Sequence, residues 1–162
     1  TFGRKTRKIN SVLAGEASAF FSLRLGVLAC FDCRVVPLPN LECVKDYFSW
    51  RQEDAHRNSL NAHCYWLLRR EGMSAREATR EIEGKTIAFK NELLFSRNIN
   101  FNDLPNWQKR GVGLYYSSYE KKGYNPVKDE EVTSIRSRLD VNMDLEIGEA
   151  YTDWVISQIP QD

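Results

Sequence analysis

The 162-residue chain carries almost no net charge: 23 Lys and Arg stand against 22 Asp and Glu, leaving +1 at pH 7. That balance gives no global polyelectrolyte signature, so any nucleic-acid contact has to come from local patches. No apolar run approaches the roughly twenty residues of a membrane-spanning helix, and no secretory signal is visible. There are four cysteines, Cys30, Cys33, Cys43 and Cys64. Cys30-x-x-Cys33 has metal-ligand spacing, but no second pair follows it, which removes the zinc-ribbon pattern. The four read as reduced structural thiols and favour a cytoplasmic setting. Internal repeats and low-complexity tracts are missing. The chain starts at Thr1 without a methionine and inside a helical pattern, so it reads as the C-terminal part of a longer protein.

What is present suits one domain. Arg4 to Leu25 repeats apolar residues at three- and four-residue steps, and Gly26 is a C-terminal stop. Val27 to Val36 reads as a strand, ended by Pro37-Leu38-Pro39-Asn40. Asn40 can cap a long helix from Leu41 to about Arg70, closed by Gly72. Ser74-Ala75-Arg76-Glu77 is a capping box for a short helix ended by Gly84. Thr86 to Arg97 is a further helix, and Asn98 to Lys109 a polar loop. Val112 to Tyr119 and Val132 to Val141 read as strands around a charged loop, Glu120 to Glu131. Glu146 to Ile159 closes the chain as an amphipathic helix. The fold class is α+β.

The long helix holds the most informative stretch. At one hundred degrees per residue, Val44, Tyr47, Phe48, Ala55, Ala62, Tyr65 and Trp66 share one face. Arg51, Asp54 and Asn58 fall in the middle of it. Such a face is expected to turn inward, where charged groups must be paired. The three residues therefore either form a bonded cluster that fixes packing or line a site. Lys90 and Asn91 share a face with Ile87 and Leu94 in the same manner, and Lys90 can also snorkel. Arg4, Lys8, Arg34, Arg51 and Lys90 are cations at a helix start, a strand end and inward helix faces, as an anionic ligand such as a triphosphate requires.

Four motifs resemble those of tRNA-histidine guanylyltransferases and their reverse-polymerase relatives, in that family's order. They are Phe2-Gly3-Arg4-Lys5-Thr6-Arg7-Lys8-Ile9, Phe31-Asp32-Cys33-Arg34, the run Tyr47 to Asn58, and Lys90-Asn91-Glu92-Leu93-Leu94-Phe95. Cys33 and Lys5 replace a Gly and an Arg usual in the family. The resemblance covers residues 1 to about 110 and corresponds to the family's C-terminal two-thirds. It implies a polymerase-palm-like, ferredoxin-like antiparallel sheet, incomplete at its N-terminal side. Residues 1–40 would belong to the palm-like core. Residues 41–162 would form a helical region with a β-hairpin at about 110–141 and a terminal helix.

The resemblance also implies a nucleotidyltransferase that activates the tRNA 5′ end with ATP and adds GTP in the 3′ to 5′ direction, using Mg²⁺. Arg4, Lys8, Arg34, His56, Lys90 and Asn91 would bind nucleotide or triphosphate. Arg51, Asp54 and Asn58 would shape the site or meet the tRNA. The family's metal carboxylates lie in motifs that would precede Thr1, so the chain alone is expected to be inactive and to contain no metal ligands. The family further implies a homo-oligomer, a tetramer, with tRNA and nucleoside triphosphates as partners and no membrane. The alternative reading is an inactive tRNA- or nucleotide-binding module.

Overall fold

The computed structural model describes residue 3 and residues 5–159. The chain divides into two compact units, Thr1–Asn40 and Leu41–Asp162. Among the described residues there are six α-helices and a two-stranded antiparallel sheet, an α+β architecture. No described helix is long and apolar enough to cross a membrane.

The first unit is built on α1 (Thr6–Leu25), which Gly26 ends in the left-handed conformation at φ 75°. The following segment, expected to be a strand from Val27 to Val36, is not one. A strand needs a neighbour to take its ladder hydrogen bonds, and among the described residues this segment has none. Serine side chains of α1 satisfy part of its backbone instead. The Ala29 and Phe31 amides donate to the Ser22 and Ser18 hydroxyls, both at 2.9 Å, and Ser22 Oγ donates to the Ala29 carbonyl at 3.1 Å. The Phe21 and Phe31 rings meet edge to face at 5.3 Å.

The second unit is organised by α2 (Leu41–Arg70). Gly72, at φ 98°, turns the chain out of it, and the Met73 amide reaches back to the Leu68 carbonyl at 3.1 Å, a Schellman closure. The capping box at Ser74 starts α3 (Ala75–Ile82), with Ser74 and Glu77 bonded reciprocally. Thr86 caps α4 (Ile87–Phe95). The expected polar loop contains a 3-10 turn, Phe101–Asp103, and a short helix, α5 (Asn106–Arg110). Then come β1 (Gly113–Asn125), β2 (Glu130–Asn142) and α6 (Gly148–Ser157). The strands pair from Gly113↔Asn142 to Asn125↔Glu130. Most of the expected charged loop at 120–131 is therefore strand, with Glu120, Lys121, Lys122, Glu130 and Glu131 exposed on the ribbon.

The main correction concerns the face that α2 buries. Gln52, Leu60, Cys64 and Leu68 are its buried residues, a row at four- and eight-residue steps. This row lies on the opposite side of the helix from the expected face. Val44 and Tyr65 pack as half-buried residues beside the two cores, but Phe48, Ala62 and Trp66 are exposed. The physical reason is that apolar weight is spread around α2. Its inner side also carries His56, Ser59 and His63, whereas large amphipathic rings lie outside. The principal core joins Leu60, Cys64 and Leu68 to Ala78, Ile82, Leu93, Leu94 and Phe101. A smaller cluster of Leu145, Tyr151 and Val155, with Val44 and Trp154, holds α6 to the start of α2.

Candidate functional site

Ser49, Gln52, Glu53, His56 and Arg57 lie at helical spacing on one side of α2, and all five line an open cleft of about 450 Å³. Ile87, at the start of α4, contributes an apolar wall, as does Ile147. Arg110, at the end of α5, and Gly148, at the start of α6, complete the lining. Gly148 takes φ 62°, a turn that a side chain would strain. The N-cap residue of α6, Ile147, offers no side-chain cap.

Backbone carbonyls hold the polar lining in place. The buried Gln52 amide donates to the Glu146 carbonyl at 2.8 Å, and Arg110 Nη1 donates to the Leu145 carbonyl at 2.8 Å. Lys109 is only 6% exposed and donates to the Asn102 carbonyl at 2.6 Å. Among the described residues, neither Lys109 nor Arg110 forms an ion pair with a carboxylate. Arg57 is paired with Asp54 at 3.3 Å, and Glu53 is the one carboxylate of the lining. Arg110 is thus a cation of the lining that no described carboxylate pairs, beside an apolar wall.

His56 is half-buried, with its ring edge to face on Phe101 at 5.3 Å; the His63 ring meets Phe101 at 5.6 Å. Burial lowers the His56 value below the ordinary histidine range, and the nearby Lys109 and Arg110 charges lower it further. A neutral imidazole results near pH 7, able to donate at one nitrogen and accept at the other.

The remaining residues expected at a site are distributed differently. Arg4 lies outside the described residues. Lys8 and Arg34 are exposed in the first unit. Lys90 and Asn91 are half-buried on α4, Asn91 bonded to the Ile87 carbonyl at 3.1 Å. Arg51, Asp54 and Asn58 do form a bonded cluster, but on the solvent side of α2. Arg51 lies 3.7 Å from Asp54 and over the Trp50 ring, and Asn58 donates to Asp54 at 3.2 Å. The expected inward placement is corrected: Arg51 is 53% exposed, and the cluster follows the reversed face of the helix.

Of the expected residues that the structure describes, only His56 lines this cleft. Sequence reasoning missed Gln52, Arg57, Arg110 and the buried Lys109. The available signals were the row Gln52, His56, Leu60, Cys64, Leu68 at four-residue steps and the Lys109-Arg110 pair just before Gly111.

Residues 42–153 match the family described as the Thg1 C terminal domain. A probable tRNA(His) guanylyltransferase of Dictyostelium discoideum is 35% identical over 149 residues, which cover 85% of this chain and 57% of that protein. The tRNA(His) guanylyltransferase of Debaryomyces hansenii is 41% identical over 94 residues, 57% of this chain and 36% of that protein. A bacterial tRNA(His) guanylyltransferase (Thg1)-like protein, solved in complex with GTP, superposes with a TM-score of 0.58 at 29% identity, covering 96% of this chain and 56% of that one. The Saccharomyces cerevisiae tRNA(His) guanylyltransferase gives 0.53 at 30% identity, over 65% and 52% of the two chains. The chain thus spans well under two thirds of the relatives it matches. With its family match running through all of α3 to α5 and the hairpin, the chain belongs to the Thg1 C-terminal domain family.

Proposed function

We propose that the chain is the C-terminal portion of a tRNA(His) guanylyltransferase-like nucleotidyltransferase that adds GTP to the 5′ end of tRNA. The observation that carries the reading is the His56 cleft: a neutral imidazole flanked by Arg57 and Arg110, beside the apolar Ile87 and Ile147. Arg110, held by the Leu145 carbonyl rather than by a carboxylate, keeps its charge available to an anion, and an apolar wall suits a base. The GTP complex of the bacterial relative supports the same ligand class. Lys8, Arg34, Lys90 and Asn91 belong to this reading as nucleotide contacts by family resemblance, with Arg51, Asp54 and Asn58 on a tRNA-facing surface. ATP as the activating nucleotide, tetrameric assembly and a cytoplasmic setting are part of the same proposal.

Mg²⁺ requires separate treatment. Among the described residues, no group of three or more His, Cys, Asp or Glu could hold a metal ion. The described residues do not by themselves make up a resident metal centre. The second reading is a tRNA- or nucleotide-binding module without catalysis of its own.

Calorimetric titration with GTP and guanosine tests the nucleotide reading. Arg110→Ala is expected to weaken GTP by roughly 1.5–3 kcal/mol, as for a lost charge-assisted bond, and guanosine much less. Equal losses for both ligands would reject phosphate recognition. Labelled GTP incorporation into tRNA, measured on the same preparation with Mg²⁺ and ATP, separates an active enzyme from a binding module.

A further inference from the structure

We propose that Lys109 is a positioning residue that acts through His56, its buried ammonium both fixing the turn on which the imidazole rests and setting the charge beside that ring. The geometry is a short relay. Lys109 Nζ donates to the Asn102 carbonyl at 2.6 Å, within the 3-10 turn Phe101–Asp103. Phe101, 2% exposed, is the neighbouring residue of that turn, and its ring packs edge to face with both His56 and His63. Fixing the Asn102 carbonyl therefore fixes the ring that supports the imidazole.

A charge at this position is costly. Lys109 is buried, its side chain has one hydrogen-bond acceptor, and among the described residues no carboxylate pairs with it. An apolar chain of similar volume would fill the space without the desolvation penalty. What the ammonium adds is its field at His56. The groups around the imidazole are Glu53 and Arg57 on its own helix, Lys109 and Arg110 on α5, apolar Ile87 on α4, Phe101 on the turn, and Ile147 with Gly148 at α6. Glu53 is the carboxylate among these cleft-lining residues. Lys109 acts in the same sense as burial and keeps the ring neutral and able to accept a hydrogen bond. The inference rests on the reading of His56 as a ligand-facing group, and it assigns Lys109 no contact with ligand.

The test is the His56 imidazole titration, followed by nitrogen-15 NMR in the whole chain. Four proteins are compared: wild type, Lys109→Met, Lys109→Gln and Lys109→Arg. Lys109→Gln retains a donor for the Asn102 carbonyl without the charge, so it decides the question if Lys109→Met does not fold. The His56 midpoint is expected to rise in the two uncharged variants and to stay near wild type in Lys109→Arg. An unchanged midpoint in folded Lys109→Gln would overturn the proposal. A GTP titration of the wild type, run alongside, reports separately on the nucleotide reading; failure to bind GTP would defeat that reading, whereas the midpoint still decides the role of Lys109.

Discussion

The side-chain amide of Gln52 donates to the backbone carbonyl of Glu146 at 2.8 Å, closing a contact across 94 residues of sequence. It clips the segment before α6 to the first half of α2, at the floor of the cleft. Gln52→Ala removes the donor and leaves a carbonyl in a part-buried position unsatisfied. The expected cost is roughly 1–3 kcal/mol, read as a lower urea midpoint at an unchanged slope.

Asp54 behaves in the opposite way. It accepts from Arg57 and Asn58 and lies near Arg51, yet both arginine side chains are 53% exposed. Pairs of this kind on a helix surface contribute little. Asp54→Ala is expected to change stability by no more than about 0.5–1 kcal/mol. A loss near 3 kcal/mol in the same urea assay would show that the cluster is covered.

The lowered His56 value makes stability depend on pH. The ordinary value is 6.5, and the folded value lies below it. Between the two, the unfolded chain binds more protons than the folded one, so stability rises with pH there. The contribution is fully present above 6.5 and is lost as the pH falls to the folded value. His56→Asn removes this titration. Comparison of urea midpoints at about pH 7.5 and 5.5 should therefore show a smaller acid loss in the variant than in the wild type.

Gly113, buried at the base of β1, is needed for space rather than for backbone freedom. A Cβ there would lie 2.6 Å from Trp154 Cη2 and 3.0 Å from Leu145 Cδ2. The Trp154 ring is held against Tyr115 and Tyr151 and has little room to yield. Gly113→Ala is expected to destabilise by about 1–3 kcal/mol through overpacking, with a changed Trp154 fluorescence spectrum as the local signature.

The punctuation of the chain was legible in its sequence. Gly26, Gly72 and the Ser74–Glu77 capping box end and start helices as local backbone chemistry requires. What was not legible depends on partners distant in sequence. Val27 to Val36 has strand composition, but its backbone bonds go to Ser18 and Ser22. The phase of α2 was misread because its buried row begins with Gln52, a polar residue justified only by the Glu146 carbonyl. At the site, His56 stood out through its motif. Lys109 and Arg110 did not, since carbonyls of Asn102 and Leu145, rather than any sequence neighbour, hold them.

The unbroken length of α2 has a consequence for motion. Its first half carries the cleft residues Gln52 and His56, and its second half carries Leu60, Cys64 and Leu68 of the principal core. Gln52 is bonded toward α6, and the Cys64 thiol donates to the Lys90 carbonyl of α4 at 3.4 Å. A rotation of the helix about its axis would break both bonds at once. The amides around Leu60 to Leu68 and the cleft end of the helix are therefore expected to open together in hydrogen exchange, and the outer half of the hairpin independently of them.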